Sequence, residues 1–292
     1  MGIIHTLKLL TNHPLTKDQK IKTLFRFLKW QIASKFNPKP IIFQFTEKCK
    51  FIAKKGLTGI TGNIYCGLHE FEDMGFLLHF LRESDLFVDI GANVGSYTIL
   101  AGAHVQARTI SIEPVPSTFE RLKENIKLNN SESKATILNI ALGSKKGSIN
   151  FTRSLDTVNH VAIEGEEDTI IVEVNSLDNI LTNESPALMK IDAEGFETEV
   201  LNGAENTLAL QGLKAIIIEL NGSGGRYGYD ENLIHQKLLG FGFKPASYNP
   251  FTRQIIFIES FGSQNTIYIR DPQFVKERLI SSEKVKILGK EF

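Results

Sequence analysis

The run Leu86-Phe87-Val88-Asp89-Ile90, followed at once by Gly91-Ala92-Asn93-Val94-Gly95, constrains this chain more than any other feature. A nearly unbroken apolar run of that length reads as a strand buried on both faces, which requires helices above and below a parallel sheet. The glycines end the run, and residues 97–105 then read as a helix. The alternation repeats. Thr109-Ile110-Ser111-Ile112 is a second strand, stopped by Glu113-Pro114. Residues 117–129 carry Phe119, Leu122 and Ile126 at helical spacing, with Ser117 as the expected N-cap. Residues 135–142 form a third strand, and residues 148–151 and 169–174 an inserted β-hairpin. A fourth strand (187–191), a helix (198–210) and a fifth strand (215–220) follow, with closing strands at 244–248 and 266–269. The expected organisation is a helical and hairpin extension over residues 1–84, an α/β domain over 85–275 and a helical tail over 276–292.

Bulk properties exclude several classes. Thirty-three basic residues balance 33 acidic ones, so no basic surplus points to a nucleic-acid partner. Cys49 and Cys66 form no CxxC and have no histidine cluster beside them, which argues against a zinc site or a disulfide framework and suits a reducing cytoplasm. No stretch approaches the roughly 18 apolar residues of a spanning helix. Lys8 interrupts the first apolar run, so no signal-peptide layout is present. Met1-Gly2 with Thr6 fits the short myristoylation pattern. A soluble cytoplasmic protein is the expectation.

Four constellations sit at strand ends, where open α/β sheets bind ligands. In the first, Asp89 precedes a loop in which Gly91 and Gly95 permit close backbone approach. A nicotinamide site expects G-x-G-x-x-G with a pyrophosphate on the helix N-terminus. Here Asn93 stands at the second glycine position, and the Asp89 carboxylate would repel a pyrophosphate. It suits an amino-bearing cationic ligand such as the methionine end of S-adenosylmethionine. In the second, Glu113 lies about 24 residues beyond Asp89, where an acid accepts hydrogen bonds from adenosine ribose hydroxyls; Pro114 fixes the turn after it. In the third, Ala141 and Leu142 close the third strand with small apolar side chains, as one wall of an adenine pocket would.

The fourth constellation is Met189-Lys190-Ile191-Asp192-Ala193-Glu194-Gly195-Phe196-Glu197. Methyl transfer needs an in-line approach, and a hydroxyl nucleophile benefits from a base. Asp192 and Glu194 are placed to orient a hydroxyl, contact the cofactor or hold a divalent ion, and the residues alone do not separate these roles. Glu197 and Glu199 also favour a helix start. Amide- and base-methylating enzymes carry N/D-P-P-Y here. This chain does not, and Asn249-Pro250-Phe251 falls some 57 residues too late.

These motifs resemble the FkbM family of methyltransferases: F-V-D-I-G-A-N-V-G-S-Y-T at 87–98, I-E-P at 112–114, A-L-G at 141–143, S-L-D at 176–178, K-I-D-A-E-G-F-E at 190–197, L-N-G-A at 201–204 and I-I-E-L-N-G at 217–222. The resemblance implies a class I, Rossmann-like methyltransferase fold, a seven-stranded sheet with its last strand antiparallel and helices on both faces. It also implies S-adenosylmethionine as donor and O-methylation of a small molecule or saccharide. Carried onto this chain, the cofactor motif falls on Asp89, Gly91, Asn93 and Gly95, with Ser96 and Tyr97 continuing it and Glu113 and Pro114 at the ribose. Ala193 replaces a valine of the family pattern, a conservative change. A divalent metal is neither implied nor excluded.

The remaining candidates lie outside those motifs. His160, after the first hairpin strand, is a candidate general base because imidazole titrates near neutrality. Tyr65 and Glu70 would line the cofactor or acceptor pocket if their segment folds over the crevice, and the glycine-rich stretch 222–228 is a candidate acceptor loop. Ile21, Leu24, Phe25, Leu28 and Ile32 recur at helical spacing among Lys20, Lys22, Arg26 and Lys29. Such a helix either packs against its own domain or a second subunit of a homo-oligomer, or rests on an anionic membrane. The reading is an O-methyltransferase, with Asp192, Glu194 or His160 positioning the acceptor hydroxyl. The alternatives are a non-catalytic cofactor-binding module and an NAD-dependent oxidoreductase on a similar sheet.

Overall fold

The computed structural model describes residues 3–36, 39–54 and 58–292; Met1-Gly2, and with them the lipidation pattern, lie outside the described residues. The chain opens with helices α1 (Ile3–Asn12) and α2 (Lys20–Phe36), an antiparallel hairpin of β1 (Ile41–Gln44) and β2 (Lys50–Ala53), and helices α3 (Thr58–Cys66) and α4 (Phe71–Phe80). Then the α/β alternation begins. It runs β3 (Leu86–Ile90), α5 (Ser96–Ile99), β4 (Arg108–Ile112), α6 (Pro116–Leu128), β5 (Ala135–Leu138), β6 (Ala141–Leu142), β7 (Gly147–Thr152), β8 (Thr169–Asn175), α7 (Leu177–Ile180), β9 (Leu188–Ile191), α8 (Glu197–Asn202), α9 (Glu205–Ala209) and β10 (Ala215–Glu219). It closes with α10 (Glu231–Gly240), β11 (Lys244–Asn249), β12 (Gln254–Phe257), β13 (Asn265–Ile269), α11 (Pro272–Ser281) and a small hairpin, β14 (Lys286–Ile287) and β15 (Lys290–Glu291).

The central sheet has the order β12-β11-β13-β10-β9-β3-β4-β5. Strands β5, β4, β3, β9 and β10 are mutually parallel, and β13 runs antiparallel between β10 and β11. This is the seven-stranded arrangement expected of a class I methyltransferase fold, extended by an eighth strand, β12, which folds back on β11. Its burial explains the apolar runs: all five residues of β3 and all four of β9 are buried. On one face Phe87, Leu188 and Ile217 pack under residues of α3, α4, α5 and α11; on the other Val88, Ile90, Met189, Ile191, Ile216 and Ile218 pack against α8, α9 and α10.

Several local expectations are revised. The helix after β3 is α-helical only to Ile99 and widens into a π-helical stretch over Leu100–Val105. Ser117 is not the N-cap of α6; Val115 takes that place and Pro116 opens the helix, where its missing N–H costs nothing. The third strand breaks after Leu138, and β6 leaves the main sheet to join β7 and β8 in a separate three-stranded sheet. The tail is not wholly helical. After α11 it returns as β14–β15, where Lys290 bridges to Asp18 at 2.6 Å and Phe292 meets Phe71 edge-on. The extension and the tail therefore share one hydrophobic cluster with the sheet.

Both cysteines are buried and unbridged. Among the described residues, no helix is long and apolar enough to cross a membrane.

Candidate functional site

Side chains alternate along a strand, so one sheet face can be read two residues at a time. On the face that buries Phe87, Leu188, Ile217 and Ile267, the next positions toward the carboxyl ends of the parallel strands are Asp89, Lys190 and then Asp192, Glu219, and Asn265 on the antiparallel β13. Register pairs Asp89 with Lys190 and Glu219 with Asn265. The apolar face therefore turns charged at one edge, and a cavity of about 660 Å³ opens there.

Its floor is the loop after β3. Gly91 and Gly95 have φ of +74° and +95°, and Asn93 adopts the left-handed region at +50°, its own side chain accepting the Val94 N–H at 2.7 Å. A Cβ on Gly91 would fall 1.8 Å from the Asp192 carbonyl oxygen, so glycine is what lets this loop pass the end of β9. Glu113 ties the loop to β4: one carboxylate oxygen accepts the Asn93 N–H and the other the Val115 N–H, each at 2.9 Å. Asp89 accepts a 2.6 Å hydrogen bond from Thr98, which also bonds Ser111. Burial pushes the Asp89 carboxyl up to about 6 and that of Glu113 up to about 7, although these hydrogen bonds favour the ionised forms.

Lys190 lies at the centre, 3.1 Å from Asp192 and over the Tyr97 ring. Burial works against its charge, but Asp192, Glu70 and Glu219 more than reverse that and hold the ammonium above its ordinary value. The extension closes this side. Glu70 accepts from the Tyr97 hydroxyl at 2.8 Å and from Asn265 at 2.7 Å, and burial with the neighbouring Glu70 raises Asp73 to about 7.

Asp192, Glu194 and Glu219 each bring a carboxylate oxygen within 4.8 Å of the others, close enough to hold a single cation. Burial first, then Asp192, raises Glu194 to about 7 and Glu219 to about 8. The turn carrying Glu194 is wound round Glu197, whose buried carboxylate accepts the N–H groups of Ala193 at 2.8 Å and Gly195 at 3.2 Å. Glu197 is thus an internal support of the site. The opposite wall is apolar: Ile140, Ala141 and Leu142, with Phe151 and Val161 from the hairpin sheet and Phe196.

Of the residues singled out from the sequence, Glu70, Asp89, Gly91, Asn93, Ser96, Tyr97, Glu113, Pro114, Ala141, Leu142, Asp192 and Glu194 line this cavity. Gly95 sits beneath it as the left-handed residue that opens α5. Two further residues do not line it. Tyr65 is buried against Phe27 and accepts a hydrogen bond from Gln31 at 2.9 Å, because α3 turns that side toward α2. His160 is buried with its ring nitrogens on the Val158 carbonyl at 2.7 Å and Glu166 at 3.1 Å, while its neighbours Asn159 and Val161 face the cavity. Glu219 and Lys190 went unassigned from the sequence. Each ends or interrupts an apolar strand, and a lone charge in such a run was the available signal.

Residues 89–245, more than half of the chain, match the family model described as the Methyltransferase FkbM domain. Over 150 residues the chain is 31% identical to the hexuronic acid methyltransferase AglP of Haloferax volcanii, covering 50% of this chain and 59% of that one. Over 161 residues it is 24% identical to methyltransferase sdnD of Sordaria araneosa, covering 43% and 62%. The chain thus spans about three fifths of the length of these curated relatives. Among solved structures, a methyltransferase FkbM from Methylobacillus flagellatus KT is similar with a TM-score of 0.46 and 17% identity, over 72% of this chain and 52% of that one.

Proposed function

Since the chain belongs to the FkbM methyltransferase family, we propose that it transfers a methyl group from S-adenosylmethionine to a hydroxyl of a saccharide or other small-molecule acceptor. The observation that carries this reading is the convergence of Asp89, Glu113 and the Asp192–Glu194–Glu219 cluster on one cavity with an apolar far wall. The donor set fits the cofactor: acids for an amino group and for ribose hydroxyls, and Ile140, Ala141 and Leu142 for an adenine. When bound, the sulfonium supplies an electrophilic methyl group.

The chain's own residues do the rest. Glu113 holds the ribose end while fixing the glycine loop from beneath. Asp89 and the carboxylates near Lys190 face the amino-acid end. Lys190 donates to Asp192 at 3.1 Å and fixes its carboxylate in place, so that Asp192 orients the acceptor hydroxyl. A carboxylate oxygen of Glu194 or Glu219 takes the hydroxyl proton, because a base works best when its pKa lies near the working pH. His160, with both ring nitrogens engaged, is left to support the hairpin.

The relative named as a hexuronic acid methyltransferase supports a saccharide acceptor. The buried, unbridged cysteines support a reducing compartment, the cytoplasm. Incubation with methyl-labelled S-adenosylmethionine and a panel of neutral sugars, sugar nucleotides and uronic acids tests the reaction. Base-stable ether label is the expected product; base-labile ester label, or none with any acceptor, counts against hydroxyl transfer.

A further inference from the structure

Helix α2 carries two apolar faces, and only one is used by the fold. Thr23, Phe27, Trp30 and Ser34 are buried against the body of the protein. On the other side Ile21, Phe25, Leu28, Ile32 and Phe36 are 84%, 68%, 54%, 58% and 79% exposed. At 3.6 residues per turn these five lie within about 80° of arc, one continuous stripe along a helix roughly 25 Å long. Isolated exposed apolar side chains are ordinary on a protein surface, but a contiguous stripe is not.

The charges around the stripe select its partner. Lys22 and Lys29 flank it on one side and Lys20 and Lys35 on the other, all four exposed, and the helix sequence contains no acidic residue. Asp18, just before the helix, is taken up by Lys290 at 2.6 Å. A second copy of this chain docking stripe to stripe would bring two sets of lysines together. A surface that is apolar in its interior and negative at its boundary matches both features at once.

We propose that α2 is an in-plane anchor that lays its Ile21–Phe25–Leu28–Ile32–Phe36 stripe into an anionic lipid surface while its lysines meet the headgroups. Its inner face stays fixed to the body through the Phe27–Tyr65 ring contact and the Gln31–Tyr65 hydrogen bond. The anchor thus presents the whole protein to the membrane. Membrane attachment and methyl transfer are separate properties and fail separately.

Co-sedimentation of the full chain with vesicles of phosphatidylcholine alone, and of phosphatidylcholine mixed with phosphatidylserine, tests the anchor. Binding is expected only to the mixed vesicles, weakening as salt is raised. The combined Phe25→Ser, Leu28→Ser and Ile32→Ser variant replaces exposed side chains only, so its melting temperature should stay close to wild type. Its bound fraction should fall about 10-fold or more, and Lys20→Gln with Lys22→Gln, Lys29→Gln and Lys35→Gln should act similarly. The anchor is overturned if the wild type stays in the supernatant with anionic vesicles, or if the triple serine variant pellets as the wild type does. It is equally overturned if sedimentation equilibrium shows a dimer that the serine variant dissociates, which would assign the stripe to a second copy.

Discussion

The Glu113 carboxylate accepts the Asn93 N–H at 2.9 Å, joining the end of β4 to the glycine loop that follows β3. One side chain thus both shapes the loop and faces the cavity. Glu113→Ala should weaken S-adenosylhomocysteine binding by roughly 10- to 100-fold, the worth of one or two hydrogen bonds to a charged group. Calorimetric titration of the two proteins measures the difference.

Lys190 is the buried cation among Asp192, Glu70 and Glu219. Lys190→Met leaves those acids without compensation and should cost about 3–5 kcal/mol of folding stability. The deficit should shrink as pH is lowered, because the acids then neutralise by protonation. Urea unfolding at two pH values reads both effects.

The raised carboxyls set the pH response of the ligand-free protein. Asp89 near 6, Glu113 and Glu194 near 7 and Glu219 near 8 hold protons in the folded state that the unfolded chain has already released. Their contribution is full below the ordinary carboxyl range and is lost as pH rises through 6 to 8. The buried His79 and the half-buried His13 and His104, lowered to about 3, 4 and 4 by desolvation, act in the opposite direction, but only below their ordinary value of 6.5. Between pH 6.5 and 8.5 the melting temperature should therefore fall, and Glu219→Gln should flatten the slope. A melting temperature that rises over this range contradicts the assignment.

Gly91→Ala places a Cβ against the Asp192 carbonyl in a left-handed conformation. A loss of about 3 kcal/mol or more is expected in thermal or urea unfolding. Gly147→Ala, where a Cβ meets nothing within 4 Å, is the matched control and should be nearly neutral.

His160→Gln should leave turnover within a few-fold of wild type and its pH profile unshifted. The histidine's ring nitrogens meet Val158 and Glu166, and its side chain does not line the cavity. A large loss of turnover together with loss of the acidic limb of the profile would restore His160 as the base.

Strands buried on both faces were legible because continuous apolar runs leave few other conformations, and β3, β4, β9 and β10 fall where those runs do. Acids at the strand ends stood out for the same reason, as charges abutting apolar segments. What could not be read was set by tertiary contact. The direction Tyr65 faces depends on how α3 meets α2, and the split of the third strand depends on Asn139, whose amide bonds the Glu113 and Pro114 carbonyls. The apolar spacing in α2 was visible, but which stripe faces outward follows from Phe27 and Trp30 packing inward.

In the proposed function the methyl donor binds at Asp89 and Glu113. Calorimetric titration with S-adenosylhomocysteine and, separately, NAD, on the wild type and on Asp89→Ala and Glu113→Ala, decides whether it does. Binding of S-adenosylhomocysteine that both substitutions weaken sharply, with no heat from NAD, is the expected result. Silence with S-adenosylhomocysteine, or binding of NAD in its place, would contradict the methyl-donor site and leave only the α/β fold.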